Sequence, residues 1–409
     1  MTSTGLLRDP DAEKSERVGF IELFFDIVFV FAVTQLAHRL VELPSPRGVA
    51  ESLVLFLAIW SVWTGTAWVT NRLDVERNLV RLLLLAMMVG GLFQALAIPD
   101  AFAYELDARG FALVHLALQL GRTLFVLIAF YGRHRLHQRH ALRTFMWMLA
   151  AAPFWIAGAL SSDEERLLWW AAALVVEYGA TAARYWVPGI GTSQAADWSV
   201  EANHFAERCG LFIIIALGEL ILITGNTVGD LTLNFYTLTA FLSILVATMS
   251  MWWIYFSFSA EKGTEAVEQA DDSGREARIV YVYLHIPVIC GMLLSAAGDE
   301  GLVDHPADAA KLADAVRIVG GAALFLAGTF IVKRVICGHF VTSHGTGIAA
   351  MAVLAPLAVG MPLYLVSIGV AAILVAVAVW EELAIRAKRR RGGLDPGAGA
   401  EEKISMVEV

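Results

Sequence analysis

Twelve stretches of mostly apolar residues, each long enough to cross a bilayer as a helix, follow one another along this chain. They cover 17–39, 50–70, 79–98, 109–131, 142–160, 166–186, 205–228, 232–258, 277–297, 312–335, 344–360 and 361–385. A hydrocarbon core about 30 Å thick demands about 20 such residues per helix. Backbone groups inside it must find partners within the structure, which leaves helices or a closed barrel. The runs are continuous and lack the alternation of barrel strands, so helices follow. With 58% hydrophobic and 17% charged residues over 409 positions, the composition excludes an ordinary soluble domain. The last two runs are separated only by Gly360 and Pro362. The expected fold is therefore an all-α polytopic membrane protein with about 12 transmembrane helices. The polar opening residues and the acid-bearing first run read as an uncleaved first span rather than a signal peptide. Cys209, Cys290 and Cys337 lie far apart and read as small core residues.

The net charge of −9 hides an asymmetry. Of the 30 Lys and Arg residues, 23 fall in segments on the side of the N-terminus and six on the opposite side, with Arg122 inside a span. Loops rich in Lys and Arg stay in the cytoplasm, so both termini are predicted to be cytoplasmic. Removing one span would scramble this alternation. Residues 386–409 hold Lys388, Arg389, Arg390 and Arg391 followed by Gly and Pro, and are expected to form a disordered cytoplasmic tail. Its basic cluster suits anionic lipid headgroups, which makes membrane lipids the expected partner there.

The chain reads as two halves. Residues 1–16 form a cytoplasmic segment, 17–186 a first six-helix repeat, 187–204 a cytoplasmic linker and 205–385 a second repeat. Glu16-Arg17-Val-Gly-Phe20 opens the first half and Glu207-Arg208-Cys-Gly-Leu211 the second. Trp60, Trp63 and Trp68 in the second run are echoed by Trp252, Trp253 and Tyr255 in the eighth. Six spans between equivalents give both halves the same orientation, a parallel pseudo-repeat.

Several ionisable residues lie where lipid should be. Glu22 and Asp26 are one helical turn apart in the first run, and so share a face. An acid at mid-membrane costs about 2.5–3.5 kcal/mol on insertion scales unless it is neutral, paired or facing water. Two carboxylates this close repel, which favours proton exchange by at least one of them; the alternative is a buried ion pair holding helices in register. His115, Gln119 and Arg122 form one polar stripe on the fourth run, expected to face the acidic pair. Glu177 in the sixth run is a secondary candidate, and Glu219 in the seventh is the second half's counterpart of Asp26. Arg17, His204, Glu207 and Arg208 are expected to form a cytoplasmic gate or structural ion pairs. His285 with Pro287 would fit a kinked polar site or a satisfied core histidine. His134, His137 and His140 lie among arginines that oppose a bound cation, and read as a topology loop. No H-E-x-x-H, G-x-S-x-G, Walker A or C-x-x-C motif occurs, so no catalytic residue, metal, cofactor or nucleic acid is expected.

Glu22-Leu-Phe-Phe-Asp-Ile-Val-Phe-Val-Phe-Ala-Val-Thr-Gln-Leu36 resembles the first-span motif of the bacterial low temperature requirement protein A family. Thr70-Asn-Arg-Leu-Asp74 and His204-Phe-Ala-Glu-Arg-Cys-Gly-Leu-Phe-Ile-Ile-Ile-Ala-Leu-Gly-Glu219 resemble it too, so the likeness runs over nearly all of residues 16–385. It implies a bacterial inner-membrane protein and supplies no substrate. Phe25-Asp-Ile-Val-Phe-Val-Phe-Ala-Val-Thr34 is similar, more distantly, to the filter motif of the transmembrane protein 175 potassium channels. The leading expectation is a proton-coupled secondary transporter of a small solute. Asp26 and Glu219 would be protonatable, Glu22 would tune the first, and Arg122 with His115 and Gln119 would anchor a counter-ion or anionic substrate. The alternatives are a cation channel related to transmembrane protein 175, formed by a homo-oligomer, and an intramembrane enzyme acting on a lipid or other apolar substrate.

Overall fold

The computed structural model describes residues 6–8, 18–132, 135–193, 202–229, 234–257, 273–337 and 341–392, and it is all-helical. Eight helices come first: α1 (Phe20–Glu42), α2 (Pro46–Thr70), α3 (Asn78–Leu96), α4 (Glu105–Ala129), α5 (Arg135–Leu160), α6 (Asp163–Ala182), α7 (Ala202–Gly229) and α8 (Phe235–Phe256). The next two are composite. In α9, a short turn (Ser273–Arg278) and a π-helical turn (Ile279–Tyr283) lead into His285–Asp304. In α10, Leu312–Ala315 and a π-helical turn (Val316–Gly320) lead into Gly321–Cys337. α11 (Thr342–Ala358) and α12 (Leu363–Gly392) complete the order. Each of the twelve apolar runs thus carries a helix. Among the described residues, nine helices are long and apolar enough to cross a membrane. The other three have visible reasons to fall short. α5 opens on Arg135, Arg139 and Arg143, α6 opens on Asp163, Glu164, Glu165 and Arg166, and α11 has only 17 residues.

Local chemistry sets several boundaries. Ser45 caps α2 by accepting from the Gly48 amide, with Pro46 at the first helical position. Asn234 caps α8 by accepting from the amides of Tyr236 and Thr237. Gly360, at φ +87°, turns the chain between α11 and α12 at the break read from the sequence.

The described residues divide into two compact units. The first runs to Phe212 and also takes the start of α9 through Ala277; the second takes the remainder, so the chain passes from one to the other within α7. In unit one, α2 packs against α1, α3, α4 and α6, while α3, α4, α5 and α6 pack in chain order and α1 also meets α3. Its interior holds stacked Trp60 and Trp63, with ring centroids 4.8 Å apart, and Phe25, Phe29, Trp155 and Trp170. Leu82, Val89 and Phe93 on α3, Leu113 on α4 and Val175 on α6 point outward. The outer surface is thus apolar where polar side chains lie inside, the arrangement lipid selects.

In unit two, α8 packs against α9, α10 and α12, while α9, α10, α11 and α12 pack in chain order. The approach of α9 to α10 depends on glycines. A Cβ on Gly291 would sit 2.4 Å from the Phe325 nitrogen, and one on Gly328 would sit 2.7 Å from that of Val288. Gly298 and Gly321 face similarly short distances, to Ile318 and Ser295. Small residues that let two backbones touch are the usual glue where no hydrophobic force acts between helices in lipid.

Candidate functional site

The acidic pair of α1 lies at the centre of a buried ionic cluster in unit one. Gly19 precedes α1, and its amide donates to Glu22 Oε2 at 2.9 Å, so Glu22 doubles as a helix cap. One turn on, Asp26 points to the same side. α7 brings His204 and Arg208 against both, again one turn apart. Arg208 Nη2 donates to Asp26 Oδ1, and its Nη1 lies 2.9 Å from Thr70 Oγ1 and 3.4 Å from Glu22 Oε1. His204 Nε2 is 3.0 Å from Glu22 Oε2, and its Nδ1 is 3.2 Å from the Asn71 side-chain nitrogen. An imidazole accepting at Nδ1 donates at Nε2, which fixes its orientation toward the carboxylate. Trp63 Nε1 donates to Asp26 Oδ1 at 2.7 Å. The guanidinium carbon of Arg208 also lies 5.6 Å from the Phe25 ring and 5.5 Å from that of Trp63, within cation–π reach. Glu22, Asp26, His204 and Arg208 are all 0% exposed.

Arg8 joins this cluster from the N-terminal segment. Residues 6–8 hydrogen-bond to the loop after α2, through the Arg8 amide to Arg72 and the Asp74 amide to Leu6. The Arg8 guanidinium then reaches the Thr70 carbonyl at 3.2 Å and lies 3.6 Å from Glu22 Oε2. Glu207 is exposed and accepts from the Val18 amide at 3.2 Å. Arg17 lies outside the described residues.

A second polar network occupies the interior between α2, α3, α4, α5 and α6. Glu177 of α6 accepts from His115 Nε2 at 3.0 Å and Trp155 Nε1 at 2.7 Å on one oxygen. Its other oxygen accepts from Gln119 Nε2 at 3.1 Å and Ser61 Oγ at 3.2 Å. Gln94 meets the far side of the His115 ring at 3.0 Å. Gln119 also accepts from Arg122, so one amide links carboxylate and guanidinium. Arg122 Nη1 donates to the Val62 carbonyl at 3.0 Å and to Thr66 Oγ1 at 3.3 Å. Gly65 makes room for it, since a Cβ there would sit 2.3 Å from Arg122 Nη2.

These contacts correct one expectation. Arg122 does not pair with Asp26, because α2 lies between them. Trp63 and Thr70, seven residues apart, face Asp26 and Arg208, while Val62 and Thr66 face Arg122. The charge partner of Asp26 is Arg208. His115, Gln119, Arg122 and Glu177 do come together, in their own network. Glu219 lies on the unit-two stretch of α7 and is 9% exposed. His285 of α9 bonds to Tyr255 at 2.8 Å and to the Val280 carbonyl at 2.8 Å, a satisfied core histidine. Sequence reading gave no signal for Arg8, and Asn71 stood out only within the Thr70–Asp74 motif, with no role attached. Trp63 had stood out only as an aromatic echo.

The two carboxylates differ in how well they are satisfied. Glu177 has two donors on each oxygen. Asp26 places Arg208 and Trp63 on Oδ1, and its buried Oδ2 has no hydrogen-bond partner among the described residues. Such an atom is costly in a structure that needs only a static pair.

No solved structure matches the chain. It is 36% identical over 390 residues to uncharacterized protein RA0937 of Rhizobium meliloti (strain 1021), covering 95% of this chain and 94% of that protein. Residues 17–379 match the bacterial low temperature requirement A protein (LtrA) family, so the chain, a multi-pass membrane protein by its helices, belongs to that family.

Proposed function

We propose that this protein is a proton-coupled secondary transporter of a small solute, with the Asp26–Arg208 pair as its coupling site. The observation that carries the reading is Asp26, wholly buried with one oxygen held by Arg208 and Trp63 and the other without a partner among the described residues. A proton taken up at Oδ2 neutralises Asp26 and removes one of the two carboxylate charges by which α1 holds Arg208. Arg208 then retains Glu22 and Thr70, so α7 is loosened without leaving a bare buried charge. Loss of the proton restores the pair. Intramembrane acid, histidine and arginine groups of this kind mark proton and substrate paths. Glu219, eleven residues beyond Arg208 in the sequence and on the unit-two stretch of α7, is proposed as the second protonatable group. A permanently open cation pore along α1 fits less well, because Arg208 seals Asp26.

The same reading includes two related six-helix repeats, a cytoplasmic-membrane location and cytoplasmic termini. The Lys and Arg asymmetry supports the orientation. The packing order supports the repeat: α2 with α3, α4 and α6 recurs as α8 with α9, α10 and α12.

Proteoliposomes loaded with a pH-sensitive dye test this proposal. Gradients of amino acids, sugars, organic acids and monovalent cations are imposed in turn. At least one should drive proton movement through the wild type, and Asp26→Asn should abolish it while remaining folded. Equal signals from the two proteins would remove Asp26 from coupling; no signal with any solute class would remove the transport reading.

A further inference from the structure

Unit two contains a buried charge pair of its own, between α10 and α12. Lys333 of α10 donates from Nζ to Glu381 Oε1 of α12 at 2.5 Å and to the Ile254 carbonyl of α8 at 2.9 Å. Ser257, at the end of α8, donates to Glu381 Oε2 at 3.3 Å. The parts match those of unit one in kind. The fourth helix of each unit gives a cation, the sixth a glutamate, and the second a serine hydroxyl and a backbone carbonyl: Arg122, Glu177, Ser61 and Val62, against Lys333, Glu381, Ser257 and Ile254.

The two versions differ in the freedom of their carboxylates. Glu177 is enclosed by four donors, and Arg122 reaches it only through Gln119. Glu381 meets its cation directly and keeps an 11% exposed side chain, while that of Lys333 is 4% exposed. Lys333 lies in the last turns of α10, and Ile254 offers one of the last carbonyls of α8. His344 of α11 is wholly buried within the field of the Lys333 charge, and its Nε2 has no hydrogen-bond partner. Glu382 of α12 is bound to Arg386, and His285 of α9 to Tyr255 and Val280.

We propose that Glu381, with Lys333 as its internal counter-ion, is a second proton-exchange site, and that Glu177 is the locked version of the same arrangement. A proton from the aqueous phase adds to a carboxylate oxygen of Glu381 and breaks the ion pair. Lys333 keeps its charge and its bond to the Ile254 carbonyl, so the pair gains one positive charge. Its purpose rests on the transport reading above, but its chemistry can be read without a solute.

The test is labelling of the purified full chain by dicyclohexylcarbodiimide, an apolar reagent that adds to protonated carboxyl groups, mapped by mass spectrometry. Glu381 should be modified at a rate that rises several-fold on acidification, with Glu177 unmodified throughout. Lys333→Gln should raise labelling in alkaline buffer several-fold, because a carboxyl stripped of its counter-charge in apolar surroundings takes up a proton. Lys333→Arg, which keeps the pair if Lys333→Gln fails to fold, should label as the wild type. Glu381 unmodified at every pH, or labelled at a pH-independent rate, overturns the proposal. Labelled Glu381 in a protein that moves no protons would overturn the transport reading alone.

Discussion

Arg208 and Asp26 meet across 182 residues of sequence, guanidinium to carboxylate, with no exposed surface on either. The pair ties α7 to α1, and it is the only contact that gives Asp26 a positive partner among the described residues. Desolvating two charges costs several kcal/mol, which attraction repays only when geometry and further hydrogen bonds are good. Thr70, Glu22 and Trp63 supply those bonds.

Removing the cation should therefore be severe. Arg208→Gln leaves Glu22 and Asp26 side by side and buried, and is expected to cost about 3–5 kcal/mol. Adding Asp26→Asn should recover about 1–3 kcal/mol of that loss, the coupling of residues in one network. Thermal unfolding in detergent of both single variants and the double variant checks this; additive losses would show that the pair is not coupled.

The indole of Trp63 makes a narrower prediction. Trp63→Phe keeps most of the ring volume but deletes the donor to Asp26 Oδ1. It is expected to cost about 1–3 kcal/mol, as when a buried charged group loses a bond. Trp60→Phe serves as the control for lost ring area, since Trp60 stacks on Trp63 without bonding Asp26. Equal losses in the two variants would assign the effect to packing.

Glycines separate tight positions from open ones. Gly65→Ala drives a methyl into the Arg122 guanidinium, and Gly291→Ala drives one into the Phe325 backbone. Both should destabilise, by about 1–3 kcal/mol or more, and Gly291→Ala the more so because backbone cannot swing aside. Gly121→Ala, beside Arg122 but with nothing within 4 Å, should instead stabilise by about 0.5–1 kcal/mol. Melting temperatures of the three variants measure the contrast.

Much of the helix order was legible because lipid allows so few structures. Every apolar run carries a helix, and Gly360 with Pro362 marked the α11–α12 break correctly, since only a glycine takes φ +87° cheaply. The polar stripe of α4 was legible from its period alone. Its partner was not. Arg122 and Asp26 are the conspicuous opposite charges of one half, but pairing them ignores α2, whose two faces keep them apart. Arg208 was visible as a residue near a helix start, yet nothing in the chain states that α7 lies against α1. Lys333 and Glu381 were hidden for another reason: each lies near the end of a run, where a charge reads as a flank in water. The contact of α9 with α10 was illegible because glycine spacing does not say which backbone will approach.

Proton binding at Asp26 is read most directly by infrared difference spectroscopy of the purified protein between alkaline and acidic buffer. The wild type should gain a protonated-carboxyl C=O band on acidification, and Asp26→Asn should lose that component while its melting temperature shows it folded. A wild-type difference spectrum unchanged in Asp26→Asn would contradict proton exchange at this site.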